Sequence, residues 1–143
     1  MKIKILTVGR PKSSFIRVGL ADYLTRLQKF RPLEVKHFKD SSKDLEILKF
    51  IKNDFLVILD EKGQEFSSQS LAKFLNKQEI FGHKNISFFI GGPDGHSPTI
   101  KERANFSWSL SKLTLPHELA LLVLTEALYR AYTINQNLPY HRA

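Results

Sequence analysis

Residues 86–98 read ISFFIGGPDGHSP, an apolar run that leads directly into three glycines and two prolines. The run predicts a buried strand, and the glycines predict a turn where the backbone makes a close approach or takes positive φ. Ser97 and Pro98 fit the cap and the first position of a following helix. Ligands of open α/β sheets bind beyond the carboxyl ends of the strands, so Gly91 and Gly92 mark a candidate binding loop.

The glycine-rich stretch matches neither of the two common phosphate-binding motifs. GGPDG lacks the G-x-G-x-x-G spacing, and no lysine follows at the Walker A position. Pro93 and Asp94 are ordinary turn residues. The pattern alone therefore leaves a ligand-binding loop and a plain tight turn as alternatives. It disfavours a nucleotide-dependent enzyme of the Rossmann type.

Strand-like and helix-like segments alternate along the rest of the chain. This alternation predicts an α/β sandwich with a mainly parallel sheet, formed by a single domain over 1–143. Residues 55–59 and 86–90 are apolar throughout, as central strands are, whereas the alternation in 2–8 predicts a strand with one open face. The other predicted elements are a strand at 33–38, a short strand with its exit loop at 107–115, and helices at 13–29, 43–52, 68–79 and 116–135, with a short one starting at Ser97.

The last predicted helix, 116–135, is apolar on nearly every face. Such a helix must be covered all round, whereas an outer helix of a small three-layer domain is covered on only one side. A symmetric homodimer is the favoured explanation, and a central position in the fold is the alternative. Glu126 and Arg130 are four residues apart and are expected to pair on the helix surface.

The net charge of +8 is concentrated at the start of the chain. Residues 1–52 hold 13 Lys and Arg against five Asp and Glu, and the remainder holds nine of each. Clustered basic residues favour a polyanionic partner such as RNA, because they displace counterions from phosphates; a merely solvated surface is the alternative. The lack of cysteine, of a signal-peptide-like start and of a long apolar run predicts a cytoplasmic protein.

Other candidate site residues are sparse. The five histidines are scattered without metal-ligand spacing, so no metal site is expected, and Asp60 and Glu61 are more readily a surface turn than a site. The final PYHR combines a tyrosine, a histidine and an arginine, which can stack on a base, exchange a proton and bind a phosphate. On the pattern alone, however, such a polar tail is expected to fray.

Five segments carry a resemblance to a known family. They are FIGGPDGHSP at 89–98, SWSLSKLTLPHELALLVLTEALYRAYTI at 107–134, the terminal PYHR, MKIKILTVGR at 1–10 and FLVILDEKGQEFSS at 55–68. Together they resemble the ribosomal RNA large subunit methyltransferase H family of the SPOUT class, which methylates N3 of pseudouridine 1915 in 23S rRNA. The resemblance covers essentially the whole chain in order.

The resemblance implies an α/β knot, in which the C-terminal part of the chain threads through a loop of the sheet, and a homodimer. It also implies S-adenosylmethionine (SAM) as the methyl donor, held by three loops. By position, these loops contribute Leu59, Gly91 and the run Leu110, Ser111, Lys112, Leu113, Thr114 and Leu115. Gly91 is then expected to leave room for a nucleoside and not for a phosphate.

The resemblance further implies that the tail takes part in catalysis. The N3 proton of pseudouridine must leave, so we expect His141, and next Tyr140, to accept it, with Arg142 holding a phosphate or the forming anion. The tail of one protomer is expected to complete a site that faces the other. The basic first third is expected to grip 23S rRNA in the assembled ribosome.

The chain departs from the family pattern at one point. It is short between strands 33–38 and 55–59, where relatives carry a longer and more charged helical stretch. This shortening leaves the cofactor loops intact but leaves the RNA contacts of 39–54 open. A non-catalytic RNA-binding module of the same fold is the alternative function.

Overall fold

A computed structural model describes residues 1–142 of the chain. Over this range strands and helices alternate in the predicted order, and most of their ends agree with the prediction within two residues. The strands are β1 (Lys2–Val8), β2 (Leu33–Phe38), β3 (Phe55–Glu65), β4 (Asn85–Ile90) and β5 (Phe106–Ser109). The helices are α1 (Ser14–Leu27), α2 (Asp44–Ile51), α3 (Ser68–Ile80), α4 (Pro98–Arg103) and α5 (His117–Asn135).

Within the described range the five strands form one sheet in the order β2-β1-β4-β3-β5, and every neighbouring pair is parallel. The predicted parallel sheet is therefore confirmed. β4 is the central strand, and β3 and β1 are also interior. Phe88 and Phe89 point to opposite faces of β4 and both are buried, as expected for an apolar strand covered on both sides.

Helices cover both faces of the sheet. α1, α3 and α5 pack on one face around a large hydrophobic cluster that includes Leu75 and Leu128. α2 and α4 pack on the other face around Ile47 and Ile100. The chain is thus a three-layer α/β sandwich, and each helix buries an apolar side against the sheet.

The prediction that β1 has one open face is wrong. Lys4, a polar residue of the alternating pattern, is buried, and its Nζ lies 2.9 Å from Oδ2 of Asp54. Asn85 Nδ2 and Ser87 Oγ donate to the same carboxylate at 3.0 and 2.9 Å. The alternation is present, but the lysine lies inside because an opposite charge from a distant part of the chain compensates its burial.

β3 is longer than predicted. The strand continues past Leu59 to Glu65 across a register shift, after which it pairs with β5 again. Gly63 permits this irregularity, because a Cβ at this position would lie 2.6 Å from the backbone of Ser107. Residues 60–63 therefore stand outside the regular ladder with β5 and are available to line a site.

α5 is only partly covered within the single chain. Leu121, Leu124 and Leu128 are buried where α5 packs against α1 and α3, whereas Leu122 and Val123 stay half-exposed. One side of α5 therefore lies inside the fold and another stays open, and the homodimer stays a prediction.

Helix α4 begins at the predicted cap. Ser97 Oγ accepts a hydrogen bond from the Ile100 N–H at 3.2 Å, and Pro98 occupies the first turn. Ser13 precedes α1 but makes no side-chain cap; its hydroxyl instead donates to Glu118 of α5 at 3.2 Å. No helix within residues 1–142 is both long and apolar enough to cross a membrane.

Candidate active site

A pocket of about 510 Å³ lies at the carboxyl edge of the sheet. Three segments form most of it: the continuation of β3, the loop after β4 and the loop between β5 and α5. Its lining residues are 59–62, 90–93, 95, 96, 101, 110, 111, 113–117 and 120. The volume is in the range of about 300–1,000 Å³ that is usual for small-molecule and cofactor sites.

The segments meet because β4, β3 and β5 are parallel neighbours in the sheet. Leu59 of β3 is level with Ile90 of β4 on one side and with Trp108 of β5 on the other. The residues that follow these positions therefore lie together at one edge of the sheet. Of the eight residues predicted to hold SAM, all except Lys112 line this pocket.

The loop leaves little room for a side chain at position 91. A Cβ there would lie 3.1 Å from the backbone of Gly95 and 3.2 Å from Cε1 of His96. The loop folds back through a turn in which the Gly95 N–H donates to the Gly92 carbonyl at 3.0 Å, with a φ of +75° at Gly95. The glycines thus form a tight turn, and this turn is one wall of the pocket.

Two hydrogen bonds join the pocket's segments to one another. His96 Nε2 donates to the Leu59 carbonyl at 3.0 Å, and Thr114 Oγ1 donates to Oε2 of Glu61 at 3.1 Å. Within the third segment, the Leu113 N–H donates to Oγ of Ser111 at 2.9 Å. The three segments therefore hold one another in place across positions distant in sequence.

Several lining residues were missed by the sequence analysis. Asp60 and Glu61 belong to β3, so the interpretation of this pair as a surface turn is wrong, and both line the pocket together with Lys101. His96 and His117 also contribute. The available signal was position, since Asp60 and Glu61 come directly after the apolar run of β3 and His96 lies in the loop after β4.

The C-terminal segment is packed against the fold, and the prediction from the pattern alone that it frays is wrong. The Tyr140 hydroxyl lies 3.0 Å from that of Tyr23 and donates to Oε1 of Glu126 at 3.3 Å. Its ring meets Tyr129 edge-on with 4.7 Å between centroids. The predicted pair is confirmed, with Arg130 Nε donating to Glu126 Oε1 at 2.8 Å.

The polar atoms of the tail are already engaged. Arg130 Nη1 lies 3.1 Å from Nδ1 of His141, and because a guanidinium only donates, Nδ1 accepts this hydrogen bond. The other ring nitrogen of His141, Nε2, lies 3.2 Å from the amide nitrogen of Gln69. Burial, the bond to Tyr23 and the charge of Glu126 raise the pKa of Tyr140, so its hydroxyl is protonated at neutral pH.

The tail does not reach the pocket of its own chain. The pocket touches α5 at its first turn, as far as Ala120, whereas His141 contacts Arg130. Ten helical residues correspond to roughly 15 Å along the axis. Arg142 is exposed, and none of residues 140–142 lines the pocket. The structure therefore does not bring the predicted catalytic residues and the predicted cofactor residues together within one chain.

A basic loop is attached beside the pocket. The Glu118 carboxylate accepts hydrogen bonds from the backbone N–H groups of Lys12 and Ser13 and from the Ser13 hydroxyl, and these contacts lower its pKa. Arg17 Nη1 donates to the Lys12 carbonyl at 2.9 Å. Because Glu118 directly follows His117 of the pocket, the loop 9–13, which carries the exposed Arg10 and Lys12, is held next to the pocket.

The fold and the position of the pocket define the class of protein. A family model described as predicted SPOUT methyltransferase matches residues 1–141. The chain therefore belongs to the SPOUT methyltransferase family, a class of enzymes that use SAM as methyl donor.

Curated relatives of this chain share one more specific name, Ribosomal RNA large subunit methyltransferase H. The protein of that name from Deinococcus radiodurans is 42% identical over 145 residues, covering 99% of each chain. The one from Streptococcus pneumoniae strain CGSP14 is 38% identical over 159 residues, covering 99% of this chain and all of the relative. The longer second alignment agrees with a shorter chain here, although it does not say where the difference lies.

Solved structures support the fold. A probable methylase family protein from Haemophilus influenzae matches with a TM-score of 0.60 at 11% identity, covering 99% of this chain and 70% of the other. The SpoU methyltransferase AviRb from Streptomyces viridochromogenes, determined in complex with the cofactor AdoMet, matches with a TM-score of 0.51 at 12% identity, covering 96% and 61%. At such identities the likeness concerns the fold alone, and the predicted knot stays a prediction.

Proposed function

We propose that this protein methylates N3 of a pseudouridine in 23S rRNA, at position 1915, on assembled ribosomes in the cytoplasm. The observation that carries the proposal is the convergence of three loops, predicted from the sequence to hold SAM, on a single pocket of about 510 Å³. The relatives named Ribosomal RNA large subunit methyltransferase H, aligned over nearly the full chain, support the large-subunit RNA as the substrate.

The pocket has the composition that an adenosyl group requires. Leu59, Leu110 and Leu115 offer aliphatic surface for the adenine ring, and the backbone N–H and C=O groups of the loops are suited to reading its polar edge. Asp60 and Glu61 would supply negative charge for the positive sulfonium, although Lys62 and Lys101 belong to the same lining. When bound, SAM supplies an already activated methyl group, so the protein's task is to align it with the accepting nitrogen and to exclude water.

The N3 proton requires an acceptor, and His141 is the favoured one. Its Nδ1 accepts a hydrogen bond from Arg130, so this nitrogen is unprotonated in the conformation described. Proton transfer to Nδ1 requires that this bond open when the substrate arrives. Tyr140 is the weaker candidate because its raised pKa keeps the hydroxyl protonated. Arg142, which is exposed, is free to bind a phosphate.

We assign the tail to the pocket of a second protomer. Within one chain the two lie apart, so a tail that acts on substrate must serve another copy. An apolar face suited to a dimer is present: Phe15 and Val18 of α1 are 69% and 72% exposed. They lie on the same face as Gly19, against which the half-exposed Leu122 of α5 packs. A twofold axis on this face buries both helices in a self-complementary contact.

The loop 9–13 and the first turn of α1 form the proposed RNA contact nearest to the pocket. Arg10, Lys12 and Arg17 are exposed there, and the Glu118 bonds fix their backbone next to the cofactor site. Such residues bind phosphates without reading the base, so they position the RNA. Specificity then comes from the shape of the ribosomal site.

The test is transfer of labelled methyl groups from SAM to ribosomes, 50S subunits and naked 23S rRNA prepared from cells that lack this modification. We expect label in assembled ribosomes, and mass mapping places it on the base at position 1915. Label on another nucleotide, or on naked rRNA in preference to ribosomes, contradicts the proposed substrate. Binding of the ribosome without any transfer supports the non-catalytic alternative.

A further inference from the structure

His96 lines the pocket but has no part in the methyl transfer proposed above. Its ring packs edge-on against Phe89 of β4 with 4.9 Å between centroids. Its Nε2 lies 3.0 Å from the carbonyl oxygen of Leu59 at the end of the neighbouring strand. A carbonyl oxygen only accepts, so Nε2 carries the proton and donates it. His96 thereby joins the loop after β4 to the continuation of β3.

The other ring nitrogen shows that His96 does not act as the base of the reaction. Nδ1 of His96 is buried and has no hydrogen-bond partner among residues 1–142. A group that takes a proton from RNA must reach the substrate, and a nitrogen shielded in this way does not. Because Nε2 is bonded to Leu59 and Nδ1 is buried, the His96 ring is suited to a structural role in the pocket wall.

The glycine-rich loop that contains His96 borders a second cavity as well as the pocket. Residues 91–93, 95 and 96 line both the pocket of about 510 Å³ and a second cavity of about 350 Å³. Ser97 secures the exit of the loop, with its Oγ donating to Asp44 of α2 at 2.7 Å. On the side that faces the pocket, the hydrogen bond from His96 to the Leu59 carbonyl connects the loop directly to β3.

We propose that His96 is a positioning residue for SAM: by tying the glycine-rich loop to the Leu59 carbonyl, it sets the width of the cofactor pocket. The inference rests on the placement of SAM between these segments given under the proposed function. It assigns His96 no contact with the methyl group or the RNA. Its loss is therefore expected to weaken cofactor affinity more than turnover.

The test compares two amide variants of the whole protein. In His96→Gln the side-chain Nε2 sits at about the reach of the histidine Nε2 and can donate to Leu59. In His96→Asn the amide ends about one bond short and cannot. We expect the dissociation constant for SAM, measured by calorimetry, to rise roughly three- to tenfold in H96N, the range for one lost hydrogen bond, and to rise less in H96Q.

Kinetics and hydrogen exchange separate this proposal from others. H96N is expected to raise KM for SAM by a larger factor than it lowers kcat. If both amides weaken SAM binding equally, His96 only fills space and the proposal is overturned; an unchanged affinity in H96N overturns it as well. Amide exchange of the wild-type protein tests the premise separately, because SAM that binds without protecting residues 59–62, 90–96 and 110–115 contradicts the cofactor placement itself.

Discussion

The hydroxyl groups of Tyr23 and Tyr140 lie 3.0 Å apart, which joins the C-terminal segment to helix α1. Tyr140 also donates to Glu126 of α5, so the tail is held by two helices of its own chain. His141 follows directly and is bound by Arg130. Contacts within one chain are therefore sufficient to hold the tail in a defined conformation.

Replacing His141 with alanine tests its role as proton acceptor. We expect turnover to fall by about 10²- to 10⁴-fold, the usual contribution of a general base, with the dissociation constant for SAM unchanged. Single-turnover methylation of ribosomes and calorimetry with SAM give the two values. Gln136→Ala, at an exposed position before the tail, is the matched control and should behave as the wild type. Undiminished turnover in H141A removes this residue from the mechanism.

Mixing two inactive variants tests whether the tail serves the other protomer. H141A retains its pocket, and Thr114→Trp, at an exposed position on the pocket rim, blocks the pocket but retains its tail. Random exchange of subunits makes half of the dimers mixed, each with one complete site. We therefore expect about a quarter of the wild-type activity to return. If each chain used its own tail, the mixture would stay inactive.

The basic loop offers a test that separates RNA binding from cofactor binding. Arg10→Ala and Lys12→Ala are expected to weaken binding to the large subunit and to lower its salt dependence by about one unit of slope each, since each phosphate contact releases counterions. SAM affinity should be unaffected. Lys49→Ala removes the same charge from exposed α2, away from the loop, and is expected to have little effect. Equal losses in all three variants indicate a diffuse basic surface.

The buried pair of Lys4 and Asp54 predicts a large difference in stability between two neighbouring lysines. The side chains of Lys4 and Asp54 are 9% and 5% exposed. Lys4→Met leaves the carboxylate buried without its cation and should cost about 3–5 kcal/mol of unfolding free energy. Lys2→Met removes a pair with Glu34 that is 39% and 41% exposed, so it should cost less than about 1 kcal/mol. Urea unfolding at one protein concentration measures both, and equal costs contradict this account.

The free energy of unfolding is expected to decrease as the pH is lowered through the range where histidine titrates. Burial lowers the pKa of His96; Lys101 also lowers it, while the Leu59 carbonyl and Asp60 oppose this. Burial likewise lowers the pKa of His37. The unfolded chain then binds protons first, so this contribution to stability is complete above the ordinary histidine pKa of about 6.5 and is lost as pH falls below it. Carboxylates with lowered pKa values change the free energy of unfolding only at more acidic pH.

Urea unfolding between pH 7.5 and 5.5 checks this sign. We expect the free energy of unfolding of the wild type to decrease over this range, and the decrease to be smaller in H96Q, whose amide does not titrate. A flat profile in the wild type, or the same slope in both proteins, contradicts the assignment to His96.

The sequence predicts the layers of this fold well because they follow from local patterns. The apolar runs of β3 and β4 and the Ser97–Pro98 start of α4 indicate their structures without any distant residue. The errors concern partners remote in sequence. Lys4 is buried because Asp54 lies beside it, and the tail is ordered because Tyr23, more than a hundred residues earlier, meets Tyr140.

The candidate site divides in the same way. Leu59 and the run 110–115 were found by resemblance, and Gly91 both by resemblance and by its position after an apolar strand. Their meeting in one pocket follows from strand order, which no local pattern contains. His96 was passed over because a lone histidine in a turn carries no signal until its partner, the Leu59 carbonyl, is known. Lys112 belongs to the predicted run but not to the lining, since a continuous segment turns some side chains away.

The Lys4–Asp54 cluster joins the starting ends of β1, β3 and β4, at the opposite edge of the sheet from the loops that form the pocket. The buried pair that stabilises the fold and the loops that form the pocket thus occupy separate ends of the strands. Substitutions that strengthen the Lys4–Asp54 edge, for instance against heat, are therefore expected to add independently to the effects of changes made in the pocket loops.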